Sequence, residues 1–288
     1  MRARAPASSA NLGPGFDTLA VALDCYVSVD VEPADTLAVH TEGEGAGLFD
    51  DASHLAARVV ADVLGHDRFS VAVHSQIPVA RGLGSSAALA AAAAAAAGAD
   101  DPFAVAATYD GHAENAAASV FGGFVTATWV DDRPVWVPLP LSDDLVFVAL
   151  VPERNLATPE ARAVLPESVS RADAVFNLGR MGLLVAGLGD PSVLVPAATG
   201  DRIHQAARTA LFPEAPALLR ALVSSGAHAA SWSGAGPTLL GLAKADEAEA
   251  VRAGGEAAFQ AQGVPGRVMV LRADRRGIVY GDEARVAL

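Results

Sequence analysis

The chain has a single cysteine, Cys25, so it holds no internal disulfide and no cysteine-based zinc site. Charge is also scarce, at 18% of 288 residues, and the basic residues are the minority: 20 Lys and Arg against 33 Asp and Glu, a net charge of −13. That balance excludes a broad basic surface for nucleic acid, whereas a small anion can still be held by local backbone amides. No apolar run is long enough to span a membrane; the alanine run after Ser86 is too short and too weakly apolar. The opening stretch MRARAPASSANLGPG lacks the apolar centre of a secretion signal. Tandem repeats and long linkers are absent too. The expectation is a cytoplasmic protein with neither a membrane nor a nucleic-acid partner.

Apolar residues make up 52% of the chain, enough to bury a large core in one big domain or two intimate ones. Alanine supplies much of that share, so the mean hydropathy of +0.32 overstates membrane character. Strands are expected at 18–31, 36–41, 69–77, 123–129, 134–137 and 144–151, from β-branched content and alternation. Helices are expected at 53–65, 85–97 and roughly 103–119. The second half reads as a helix-rich stretch at 158–188 and a helix near 214–225. Strands at 226–232 and 238–243, a helix at 245–262 and a strand at 266–272 close it. That order suggests an α+β sandwich with a seam near 151–155.

Three glycine-rich stretches stand out. In PVARGLGSSAALAAAAAAAAG, from Pro78 to Gly98, Gly82 and Gly84 precede the strongest helix-forming run of the chain. Helix N-termini expose unpaired N–H groups and a partial positive charge, and Ser85 and Ser86 can cap such a terminus. Together these features describe a seat for a phosphate. The stretch alone equally fits a glycine-rich helix entry with no ligand. It is neither the Walker loop, which needs Gly-Lys-Ser/Thr, nor the Rossmann fingerprint, whose third glycine is missing. The other two stretches are PASSANLGPGFD, Pro6 to Asp17, and SGAGPT, Ser233 to Thr238. Each could be an ordinary tight turn.

In this order the three stretches resemble the signatures of the GHMP kinases. Pro6, Asn11-Leu12-Gly13 and Gly15-Phe16-Asp17 resemble the first motif of that superfamily. Pro78 and Gly82 to Ala87 resemble its phosphate loop, and Ser233 to Thr238 its late glycine-rich loop. Within the superfamily the likeness is to the homoserine kinases, through DGHAEN (Asp110 to Asn115), LATPEARAVLP (Leu156 to Pro166), FNLGR (Phe176 to Arg180) and DRIHQAAR (Asp201 to Arg208). The resemblance implies two domains. Residues 1–150 would form a domain like the second domain of ribosomal protein S5, and 151–288 a ferredoxin-like domain, with ATP and substrate meeting in the cleft between them.

The resemblance also implies roles. The nucleotide would be held by His54, Pro78, Arg81, Gly82, Leu83, Gly84, Ser85, Ser86 and Ala87, and Mg²⁺ by Ser86 and Asp110. Homoserine, one of the two small-molecule substrates, would lie against Asn11, Asp17, His112, Asn115, Arg162 and Arg208. Asp17 would take its ammonium and the two arginines its carboxylate, where a guanidinium fork fits two oxygens. Asn115 and Arg208 would act nearest the chemistry, His112 would shape the pocket, and Thr158 is either a further hydroxyl or a helix cap. A homodimer is expected by analogy. The product would be O-phospho-L-homoserine, in threonine biosynthesis. Several positions depart from the family pattern. Asp110 stands for a glutamate, Ala113 for a proline, Glu114 for an aspartate, His54 for an asparagine and Ala157 for a serine. A kinase for a related hydroxy amino acid, and a nucleotide-binding regulator without turnover, are the competing readings.

Overall fold

The computed structural model describes residues 1–288 and contains two β-sheets. The first opens with β1 (Arg2–Asn11) and β2 (Gly15–Pro33), an antiparallel pair joined at the first glycine-rich motif. Next come β3 (Ala38–Gly43), α1 (Leu55–Leu64) and β4 (Phe69–Ser75), with β3 parallel to β4. The helices α2 (Ser85–Ala96), α3 (Pro102–Asp110) and α4 (Ala113–Phe121) follow. The hairpin of β5 (Phe124–Val130) and β6 (Arg133–Leu139) then completes a seven-stranded sheet by pairing β5 with β2.

The second sheet has the order β10-β7-β9-β8, all antiparallel. It is built from β7 (Leu145–Pro152), β8 (Ala229–Trp232), β9 (Leu239–Lys244) and β10 (Gly266–Arg272). Between β7 and β8 lie α5 (Thr158–Ala163), α6 (Arg171–Gly189), the short α7 (Gln205–Arg208) and α8 (Ala215–Ser224). A last helix, α9 (Ala248–Gln262), joins β9 to β10, and β11 (Val279–Tyr280) returns to pair with β1. The α+β class expected from the sequence is the class observed. The chain changes sheets in the turn at 140–144, a few residues before the 150/151 seam, and we propose that turn as the domain boundary.

Residues 2–11 are not expected to form a strand, yet β1 lies at the centre of the first sheet. Its residues 5–11 are all buried, so no polar face alternates with an apolar one. Alanine and serine fill it because α2 lies directly against β1 and β2. The alanines at 90–96 are all buried, and their small side chains let helix and sheet approach closely. The expected helix at 103–119 is broken in two at Asp110-Gly111-His112, where Gly111 caps α3 with φ 77°. The expected stretch at 158–188 divides likewise into α5 and α6. β7 is buried along its whole length. One of its faces, Phe147 and Ala149, joins the main core, and the other, Val148 and Leu150, packs with Trp232, Leu222 and Phe259 under α8 and α9. A strand covered on both faces explains its unbroken apolar run.

Candidate active site

All three glycine-rich motifs line one cavity of about 550 Å³. The Ser233–Thr238 loop lies on the Gly82–Ala87 loop: Ser233 Oγ donates to the Gly82 carbonyl (2.6 Å) and to Ser9 Oγ (2.8 Å), and the Thr238 amide donates to the Arg81 carbonyl (3.1 Å). Asn11 Nδ2 reaches the Gly234 carbonyl at 2.9 Å, tying the first motif to the third. Gly82 and Gly84 sit at φ 78° and 64°, and a Cβ on them would strike the Ser233 carbonyl oxygen and Ser8 Oγ respectively. The close packing of loops therefore requires glycine there, apart from any ligand.

Gly84 is the N-cap of α2, and no side chain caps this helix. This corrects the expected capping by Ser85 and Ser86, which instead occupy the first two helical positions. The consequence is chemical. Helix geometry leaves the amides of Ser85, Ser86 and Ala87 without a partner in the helix, at its positive end, next to the cavity. Leu83 and Ala87 are buried, so only their backbone is available, and Pro78 is buried outside the cavity. Arg81 borders the cavity, but its guanidinium is committed to backbone carbonyls: Nε to Pro152 (2.9 Å), Nη1 to Val79 (2.9 Å) and Nη2 to Glu153 (2.6 Å). It pins the loop to the end of β7.

The break between α3 and α4 brings Asp110, His112, Glu114 and Asn115 to the same cavity. His112 Nδ1 lies 3.3 Å from Asp110 Oδ2, and its Nε2 lies 2.8 Å from Arg162 Nη2. A guanidinium can only donate, so Nε2 accepts and Nδ1 carries the hydrogen. The hydrogen bond to Asp110 raises the pKa of His112, against the effect of burial. With both nitrogens engaged, this ring has no free lone pair for use as a base. The same Arg162 Nη2 pairs with Asp17 Oδ1 at 2.7 Å. Asn115 accepts at Oδ1 from Ser8 Oγ (2.8 Å) and donates from Nδ2 to Glu114 Oε1 (3.2 Å), which leaves one amide hydrogen uncommitted. Glu114 is 2% exposed, and burial pushes its carboxyl up to about 7.

Arg208, 2% exposed, is the best-anchored cation of the cavity. Its Nη1 donates to the Gly234 carbonyl (2.8 Å) and to His204 Nδ1 (2.9 Å). His204 in turn donates from Nε2 to the Gly13 carbonyl (2.7 Å) and stacks on Phe16 at 5.1 Å. Burial draws His204 down to about 4, and it lowers Arg208 to about 10, still charged at neutral pH. Phe16 lies beneath both guanidiniums, 5.5 Å from that of Arg162 and 5.7 Å from that of Arg208. Sequence reasoning assigned no role to Glu114, His204 or Phe16. The His-x-x-x-Arg spacing of 204 and 208, one helical turn, was the available signal for His204.

A second cavity of about 430 Å³ adjoins the first and shares Ala80, Ser85, Ser86 and Thr158 with it. His54 stands in its wall, as the N-cap of α1, with Nδ1 accepting from the Ala56 amide at 3.1 Å. Thr158 opens α5 without capping it; the N-cap is Ala157. No helix of the chain is long and apolar enough to cross a membrane.

Comparison with known proteins follows the same lines. The GHMP kinases N terminal domain matches residues 52–123, and GHMP kinases C terminal matches 182–261. A homoserine kinase of Thermus thermophilus is 40% identical over 279 residues, 92% of this chain and 94% of that protein. One of Streptomyces coelicolor is 40% identical over 273 residues, 88% of this chain and 87% of that protein. Among solved structures, a homoserine kinase from Cytophaga hutchinsonii superposes with a TM-score of 0.84 at 27% identity, covering 97% of this chain and 96% of that one. A mevalonate kinase of L. major in complex with R-mevalonate shares the fold, with a TM-score of 0.73 at 15% identity over 96% of each chain.

Proposed function

Because the chain belongs to the homoserine kinases of the GHMP superfamily, we propose that its larger cavity is where the γ-phosphoryl group of ATP passes to the side-chain hydroxyl of L-homoserine. The observation that carries this assignment is the meeting of three glycine-rich loops with Asp17, Arg162 and Arg208 around one space. Phosphoryl transfer needs positioning and charge stabilisation more than covalent help from the protein. The amides of Ser85, Ser86 and Ala87 supply the first of these, directed at the phosphates by the positive end of α2.

The residues at the cavity also suit Mg²⁺. Asp110 is nearly buried yet lines the cavity, and Ser86 presents a hydroxyl with no partner in the protein. Both are hard oxygen donors, and a magnesium site completed by phosphates and water needs few protein ligands. Bound there, the ion would neutralise charge developing on the phosphoryl oxygens. Asp17 takes the ammonium of homoserine, and Arg208 its carboxylate together with Arg162. In the free protein Arg162 and Asp17 neutralise each other, so the zwitterion exchanges for an existing ion pair. Asn115 directs its uncommitted amide hydrogen toward the reacting hydroxyl. No base of high strength is needed, because a loose transition state asks little of the hydroxyl before bond formation.

Purified protein with Mg-ATP and a panel of hydroxy amino acids tests the assignment through ADP release. Homoserine should give the highest kcat/KM. ATP binding without turnover on any alcohol would instead favour a regulatory protein that kept the fold.

A further inference from the structure

The smaller cavity bears on which nucleotide the protein accepts. If the triphosphate lies on the amides of α2, the 430 Å³ cavity that shares Ser85 and Ser86 is the space left for the base; the inference rests on that reading. Val27, Leu48, Phe49, Leu55, Val73 and Val79 make its walls mostly apolar, which suits a flat heteroaromatic ring. Specificity must then come from the few polar side chains among them.

Three of those side chains are already committed. Ser53 Oγ donates to Asp51 (2.5 Å), Ser75 Oγ accepts from the Ile77 amide (3.1 Å), and one Glu44 oxygen pairs with Arg267 (2.6 Å). The remaining pair is His54 and Thr41, whose Nε2 and Oγ1 stand 3.3 Å apart. The tautomer of His54 is set by its own helix: because Nδ1 accepts from the Ala56 amide, the ring hydrogen is on Nε2. Burial lowers the pKa of His54 and keeps the ring neutral. The cavity therefore meets one fixed donor beside one hydroxyl that can either donate or accept.

That combination reads a purine without reading its 6-substituent. Adenine and hypoxanthine both present ring-nitrogen acceptors to a fixed donor. They differ at position 6, an amino donor in one and an oxo acceptor in the other, and the Thr41 hydroxyl serves both. The second Glu44 oxygen likewise accepts from the adenine amino group or from the ring N–H of hypoxanthine. We propose that His54 and Thr41 make the base site tolerant, so that 6-oxopurine triphosphates serve as phosphoryl donors nearly as well as ATP.

A side-chain amide at position 54 would change this, because it offers a donor and an acceptor at fixed places and can match adenine alone. Asparagine is also a good N-cap, so His54→Asn keeps α1 intact. The experiment measures kcat/KM for ATP and for ITP with homoserine, in the wild type and in His54→Asn. The wild-type values should agree within about tenfold, and the ATP/ITP ratio should widen by at least about tenfold in the variant, the scale of one discriminating hydrogen bond. A wild-type preference for ATP above tenfold overturns the inference. So does an unchanged ratio in a variant whose KM rises for both nucleotides, which leaves the base placed here but unread by His54. A variant whose KM changes for neither nucleotide overturns the placement of the base as well, and turnover with no nucleotide at all overturns the kinase assignment itself.

Discussion

Two arginines face the same cavity in opposite states. Arg208 is buried, and its Nη1 is held by His204 and by the Gly234 carbonyl, with Phe16 beneath the guanidinium. The Arg162 side chain is 40% exposed and extends from the six-residue α5 to a single carboxylate, that of Asp17, and to His112. The first has lost its hydration and most of its freedom during folding. The second keeps both and uses Asp17 in place of a ligand. A charge fixed in this way is ready for a substrate carboxylate with no reorganisation, whereas an exchangeable pair lets the cavity stay neutral until a zwitterion arrives.

The comparison breaks most sharply at Arg208. Arg208→Leu should lower kcat/KM for homoserine by about a thousandfold, because a buried, forked contact to a carboxylate is lost. The same change deprives His204 Nδ1 and the Gly234 carbonyl of their donor, so unfolding in urea should come easier by about 1–3 kcal/mol. Arg208→Lys keeps the charge without the fork and should recover only part of the activity. Unaltered kinetics in both variants would remove Arg208 from the substrate site.

Arg162 should respond differently. Arg162→Gln is expected to raise KM for homoserine by up to about a hundredfold, the scale of one charged hydrogen bond. Unfolding should shift by less than about 1 kcal/mol, because an ion pair this exposed contributes little to stability. A large loss of stability in that variant would mean that the pair with Asp17 is structural, and that both arginines are of one kind.

The sequence displays these two roles unequally. The glycine-rich loops are legible because the left-handed backbone at Gly82 and Gly84 demands a particular residue locally. Asp17, Arg162 and Arg208 became candidates only through family resemblance, and the structure brings all three to one cavity. His204 and Phe16 are not visible in this way. Their importance arises from Gly13, nearly two hundred residues earlier than His204, folding back onto α7. Glu114 looks like a solvated acid on α4 until the helix break at Gly111 turns it inward. β1 was missed because strand periodicity requires one wet face, and this strand has none. The capping role expected of Ser85 and Ser86 failed for a local reason: Gly84 already occupies the N-cap, and the serines begin the helix.

The finest distinction between the two arginines concerns the proton on His204. This ring accepts from Arg208 at Nδ1, and burial holds its folded pKa near 4, against an ordinary 6.5. In the unfolded chain it takes up a proton below about pH 6.5, so unfolding binds a proton between pH 6.5 and 4. Its contribution is therefore fully present above pH 6.5 and declines as the pH falls through that window, by about 2 kcal/mol at pH 5. Arg162 depends on no such buried neutral ring. Urea unfolding at pH 7.5 and pH 5 should show the wild type losing about 2 kcal/mol more than His204→Gln, whose amide does not titrate. Equal losses in the two proteins would mean that His204 accepts a proton in the folded state, and that Arg208 is held less rigidly than its buried contacts imply.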